Sequence, residues 1–115
     1  MTNNVLDKNN CVSSPLKNVI LDAVSAIKKN DNDLAKNLLK QAVLMDLENP
    51  IIYNLLGIMY ENEGDRQKAS KFYRVAYYMD PTFIPSSDNL ERISNIFSVC
   101  FVNVNWGLDR LGGEE

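Results

Sequence analysis

Histidine is missing from all 115 residues of the chain. That gap removes the Ser-His-Asp and Cys-His nucleophile arrangements, together with the commonest metal ligand. Cysteine is scarce as well: Cys11 and Cys100 stand far apart without a CxxC pair, which indicates neither a zinc site nor a disulfide framework. No apolar run approaches the roughly 20 residues that a membrane-spanning helix needs. Positive charge is also in deficit, with a net charge of −3 and a pI near 4.9, so no overall field draws in nucleic acid or an anionic membrane. The opening stretch "MTNNVLDKNNCVSSP" has neither the basic nor the apolar part of a secretory leader, and the residues before Cys11 are not the small apolar set of a lipidation signal. These absences predict a cytoplasmic, non-enzymatic protein without cofactor or metal. What remains, 45% hydrophobic and 23% charged residues, is the composition of one ordinary globular domain.

What is present is a repeat. Laying residues 16–49 over residues 50–83, an offset of 34, aligns Leu21 with Leu55, Asp31 with Asp65, Ala35 with Ala69, Ala42 with Ala76, Met45 with Met79 and Asp46 with Asp80. The alanine and methionine positions lie seven and three residues apart, on one face of a helix in each copy. The punctuation repeats too. Ser14-Pro15 and Asn49-Pro50 read as a helix cap followed by a first-turn proline, whereas Asn30-Asp31 and Gly64-Asp65 read as tight turns in which Asn or Gly takes a left-handed conformation and Asp caps the next helix. Helices are predicted near 15–29, 32–46, 50–63 and 66–79, with a fifth from about 86 to 98 capped by Ser86 or Ser87. Connections of two or three residues make successive helices antiparallel neighbours.

Gly57 sits in the middle of the third predicted helix, where glycine costs about 1 kcal/mol relative to alanine. Close packing accounts for it: Gly57 facing Ala69 and Ala76 opens a gap into which Tyr53, Tyr60 and Tyr73 can interdigitate. Tyr53, Leu56, Gly57, Tyr60, Ala69, Tyr73, Ala76 and Pro81 fall where one known family places its large, small, aromatic, alanine and proline signature residues. In this respect residues 50–83 resemble a tetratricopeptide repeat. Residues 16–49 resemble a degenerate copy, in which Ala23, Ala26, Ala35, Leu39 and Ala42 fit, but Asp22 replaces the usual leucine and Leu47 the terminal proline. Residues 84–98 are similar to the helix that caps such arrays. The resemblance implies an all-α, antiparallel helix-hairpin array of two repeats plus a capping helix, spanning residues 14–98 between a flexible segment 1–13 and a tail 99–115.

Features that mimic chemistry resolve into structure. "ENEGD" at 61–65 alternates acidic residues as a calcium loop does, but the glycine is misplaced and the twelfth position is Phe72; "DND" at 31–33 likewise meets Ala42. Lys36 and Lys40, and Lys71 and Arg74, read as the solvated outer face of the second helices. Tyr77 and Met79 are expected in the core between helices, and Tyr78 in solvent.

By the resemblance, the functional surface is the concave face lined by the first helix of each repeat. It draws Lys17, Ile20, Val24, Ile27 and Lys28 from the first repeat, Ile51, Asn54, Ile58, Glu61 and Asn62 from the second, and Asp88, Arg92 and Asn95 from the fifth helix. Ile20 and Val24 stand where family members that grip a terminal carboxylate carry lysine and asparagine. The groove therefore suits a protein or peptide partner with aliphatic or aromatic anchors, unless these aliphatic residues merely complete the core. An array of two and a half repeats leaves one end open. Leu90, Ile93, Phe97, Cys100 and Phe101 continue a helical spacing, and then Val102, Val104 and Trp106 alternate with Asn103 and Asn105. The tail is expected to dock through Phe101, Val104 and above all Trp106. Its seat is either its own array or the groove of a second copy in a homodimer; a frayed tail is the alternative that Gly107, Gly112 and Gly113 favour.

Overall fold

A computed structural model describes residues 14–94 and 104–111. Five α-helices follow one another: α1 Ser14–Lys28, α2 Asn32–Met45, α3 Pro50–Asn62, α4 Arg66–Met79 and α5 Ile84–Ser94, with a 3₁₀ turn at Leu108–Leu111. Among the described residues there is no strand. The protein is an all-α helix-hairpin array.

The turns explain why the hairpins repeat. Asn30 and Gly64 both adopt positive φ, 64° and 89°. Each ends its helix with the same pair of bonds: Asn30 N–H to Ile27 O and Asp31 N–H to Ala26 O in one copy, Gly64 N–H to Glu61 O and Asp65 N–H to Tyr60 O in the other. The next residue then caps the following helix, Asp31 accepting from Leu34 N–H at 3.2 Å and Asp65 from Lys68 N–H at 3.0 Å. At the far ends, Asp46 and Asp80 have almost identical backbone angles and send their N–H groups to Ala42 O and Ala76 O. Asn49 accepts from Ile51 N–H at 2.9 Å ahead of Pro50. The fifth helix begins earlier than expected, at Ile84, so Ser86 and Ser87 are not its caps. Their hydroxyls instead donate to Phe83 O and Ile84 O inside the first turn. Residues 1–13 and 95–98 lie outside the described residues.

α3 is the axis of the packing. It touches α1, α2, α4 and α5, and from Leu55 to Met59 every residue is buried, because neighbours surround it on all sides. Ile51, Ile52, Leu55, Ile58 and Met59 are each 2% exposed or less, and burying each such side chain stabilises by about 1.5–3 kcal/mol. Gly57 answers to Tyr73: a methyl group at Gly57 would lie 2.4 Å from Cε1 of that ring, so the glycine makes room for one of the three tyrosines expected in the gap. Both alanines are buried alongside. Tyr60 is half-buried and stacks on Phe72 with ring centroids 5.5 Å apart; Tyr53, also half-buried, donates to Leu47 O at 2.9 Å. Pro81 is exposed, so its part is to stop α4 and not to pack the repeat. Tyr77 and Met79, expected in the core, are 40% and 38% exposed; they lie in the last turn of α4, beyond the buried Ala76. Tyr78 is in solvent as expected.

Candidate functional site

The first helix of each hairpin and α5 together form one face, and residues 104–111 lie across it. Two buried asparagines organise the contact. Asn54, in the middle of α3, donates from Nδ2 to Asn105 O at 2.9 Å and to Trp106 O at 3.4 Å. Asn89, in α5, donates to Asn105 O at 2.8 Å and accepts from Asn105 N–H at 2.8 Å, so both backbone groups of residue 105 are held. Asn89 also donates to Asn54 Oδ1 at 3.0 Å, which fixes the two amides relative to each other. Both asparagines are fully buried, and the tail backbone supplies partners that such groups need.

Around this clamp the segment uses its side chains. Asn105 donates to Asp88 Oδ2 at 3.1 Å, and its Oδ1 accepts from Gly107 N–H at 3.1 Å, an Asx turn that bends the chain. Gly107 follows with φ of 69° and is buried against Phe83, Pro85 and Asn54. The Trp106 ring lies 5.2 Å beneath the ammonium of Lys28. Val104, Trp106 and Leu108 are half-buried against the core, and Leu111 is 4% exposed. Leu111 and Gly107 are thus the deepest contacts, not Trp106. Phe101 lies outside the described residues.

The expected groove residues divide into three groups. Ile20, Val24, Ile27, Ile51 and Ile58 are 5% exposed or less, so they are core and offer no free aliphatic surface. Asn54 and Asp88 touch the tail, and Lys28 caps its tryptophan; Lys17 is half-buried. Glu61, Asn62 and Arg92 are engaged elsewhere. Asn62 donates to Asn30 and Asn32 across the first turn at 3.0 and 3.3 Å. Arg92 grips Glu61 with two bonds of 2.5 and 2.7 Å, and Glu61 also accepts from the Tyr73 hydroxyl at 2.7 Å. Burial, then the Glu61 carboxylate, push the Tyr73 phenol well above its usual range, while the bonds to Glu61 raise Arg92 further. This network ties α3 to α4 and α5 and steadies Asn89, one turn from Arg92. Asn95 lies outside the described residues. The sequence reading missed Asn89, Asn105, Gly107 and Leu111; the three-residue step from Asn89 to Arg92 was the signal that places Asn89 on the same face.

On the other side of α3, Lys36, Lys40, Val43, Leu44, Leu56, Tyr60 and Phe72 line an apolar groove of about 430 Å³. Lys36 and Lys68 sit 5.5 and 5.3 Å from the Tyr60 ring centre, and Lys36 is 4.0 Å from Glu63; Lys40, Lys71 and Arg74 are exposed, as expected of an outer face. Among the described residues no cluster of acidic or cysteine side chains is placed to hold a metal, and no helix is long and apolar enough to cross a membrane.

Paired helices, repeated turns and a chain segment seated across the first helices define a helical-repeat module of the kind that engages other polypeptides. The sequence pattern of the tetratricopeptide repeat family matches residues 51–83, the span of α3 and α4, so this hairpin is similar to one such repeat. Neither a curated protein nor a solved structure matches the chain. Repeats of this family are in general protein-protein interaction modules, which is what the match over residues 51–83 suggests.

Proposed function

We propose that the protein is a non-enzymatic interaction module whose concave face holds an extended peptide segment, and that residues 104–111 occupy that seat when no partner is present. One observation carries the reading: Asn54 and Asn89 engage the C=O and N–H of residue 105, a way of gripping a peptide backbone that does not depend on its side chains. Charge and composition support a protein partner over nucleic acid or membrane. So short an array offers a small surface, which favours affinities nearer micromolar than nanomolar.

The test weakens the resident segment and offers a replacement. In a full-length chain carrying Trp106→Ala and Leu111→Ala, a peptide of residues 103–111 added in trans should move the side-chain amide resonances of Asn54 and Asn89 in an NMR titration. Shifts confined to the Lys36–Phe72 groove, or no shifts in a folded chain, would put the interaction surface elsewhere.

A further inference from the structure

Resting on that reading, we propose that the seat is selective for a segment of the form Asn–aromatic–Gly–aliphatic, and that the natural partner is a protein presenting such a segment in competition with this chain's own copy. The selection centres on Gly107. Its φ of 69° is a conformation that side chains other than glycine rarely adopt. Space forbids a substitute independently: a methyl group there would lie 2.6 Å from Cζ of Phe83, 3.1 Å from Cβ of Pro85 and 3.3 Å from Nδ2 of Asn54. Phe83 is 1% exposed and Asn54 fully buried, so neither can retreat cheaply.

The flanking positions are read by different physics. Residue 105 is recognised as asparagine because its amide both donates to Asp88 and accepts from Gly107 N–H, which sets up the left-handed turn. Residue 106 is read as aromatic through the ammonium of Lys28. An aliphatic residue at 108 packs against the core.

Tethering makes the chain's own copy a strong competitor. Nine residues separate Ser94 from Val104 in the sequence, and a link of that length supplies an effective concentration on the order of millimolar. For an intrinsic Kd of about 10 μM, the seat is then filled from within about a hundredfold more often than it is empty, and a partner's apparent affinity falls by about the same factor.

Trp106 is the sole tryptophan, so its emission reports the resident segment directly. The experiment compares the full-length chain with full-length Gly107→Ala, using fluorescein-labelled peptides of residues 103–111 with and without the same change. In the variant, Trp106 emission should shift red while helical circular dichroism is kept. The wild-type-sequence peptide should bind the variant at least tenfold more tightly than it binds the wild-type chain, and at least tenfold more tightly than the alanine-containing peptide does. Equal binding of the two peptides overturns glycine selection while leaving the groove reading intact. Failure of both peptides to bind a chain whose tryptophan has been released overturns the groove reading itself. Unshifted Trp106 emission in Gly107→Ala refutes the selection outright, and a wild-type chain that runs as a dimer in light scattering reassigns the seat to a second copy.

Discussion

Replacing Gly57 with alanine should destabilise the fold, although helix propensity alone argues the reverse. In an exposed helix the change would stabilise by about 1 kcal/mol. Here the new methyl carbon would stand 2.4, 2.5 and 2.9 Å from Cε1, Cδ1 and Cζ of Tyr73, where carbon atoms prefer about 3.5–4.0 Å. The ring is fully buried and anchored through its hydroxyl to Glu61 at 2.7 Å, so it cannot swing aside without losing that bond. Overpacking costs about 1–3 kcal/mol and a lost bond to a carboxylate about 1.5–3 kcal/mol, leaving a net loss of about 1.5–5 kcal/mol after the propensity gain. Urea denaturation followed by circular dichroism measures this, and in heat the melting temperature should fall by roughly 4–8 °C per kcal/mol. A double-mutant cycle isolates the cause: in a Tyr73→Leu background the same glycine-to-alanine change should be neutral or stabilising. A rise in the urea midpoint of Gly57→Ala in the wild-type background would refute the packing argument.

Glu61→Gln removes one charge of an ion pair whose side chains are only 7% and 12% exposed, leaving Arg92 charged in a largely dry site where its Nε has no partner among the described residues. The expected loss is about 3–5 kcal/mol in urea titration, and a loss below about 1 kcal/mol would mean the pair is effectively solvated. The raised Tyr73 pKa fixes the sign of an alkaline effect: the unfolded phenol ionises near pH 10 while the folded one stays neutral, so its contribution is complete below about pH 10 and is lost as pH rises above it. Urea midpoints taken between pH 9 and 11 should therefore fall more steeply for the wild type than for Tyr73→Phe, and parallel slopes would contradict the burial of the phenol.

What the sequence discloses and what it hides divide along the range of the interactions. Turns and caps depend on residues within four positions of one another, and Asn30-Asp31, Gly64-Asp65 and Asn49-Pro50 behave as their chemistry dictates. The 34-residue offset is legible for the same reason, since identical local signals recur. Gly57 was legible as a site of close approach with three tyrosines as candidates for the gap, but which of them fills it was not. Which side chain covers a glycine depends on how two helices cross, and Tyr73 holds that place through a bond to Glu61 twelve positions away in sequence. Tyr77 and Met79 keep the helical spacing of core residues, yet periodicity cannot tell where a neighbouring helix ends. The tail was legible in part: Val104 and Trp106 do lie against the core, but the groups that fix the segment are the backbone of residue 105 and the turn at Gly107, neither of which leaves a hydropathy signal.

The polar floor of the concave face also decides what form a ligand can take there. Asn54 and Asn89 are fully buried, and their amides are shared between each other and the tail backbone. A buried amide left without a partner costs about 1–3 kcal/mol, so whatever covers them must bring hydrogen-bonding groups, which here are backbone ones. The interior of an α-helix cannot, because its N–H and C=O groups are already bonded to each other. Nor can the apolar stripe of a further repeat, which would bury the asparagines against hydrocarbon. An extended chain, with both groups of one residue free on the same edge, satisfies the pair as residue 105 does. The two asparagines therefore work against continued stacking of helices over this face and favour an extended segment such as the one that residue 105 belongs to.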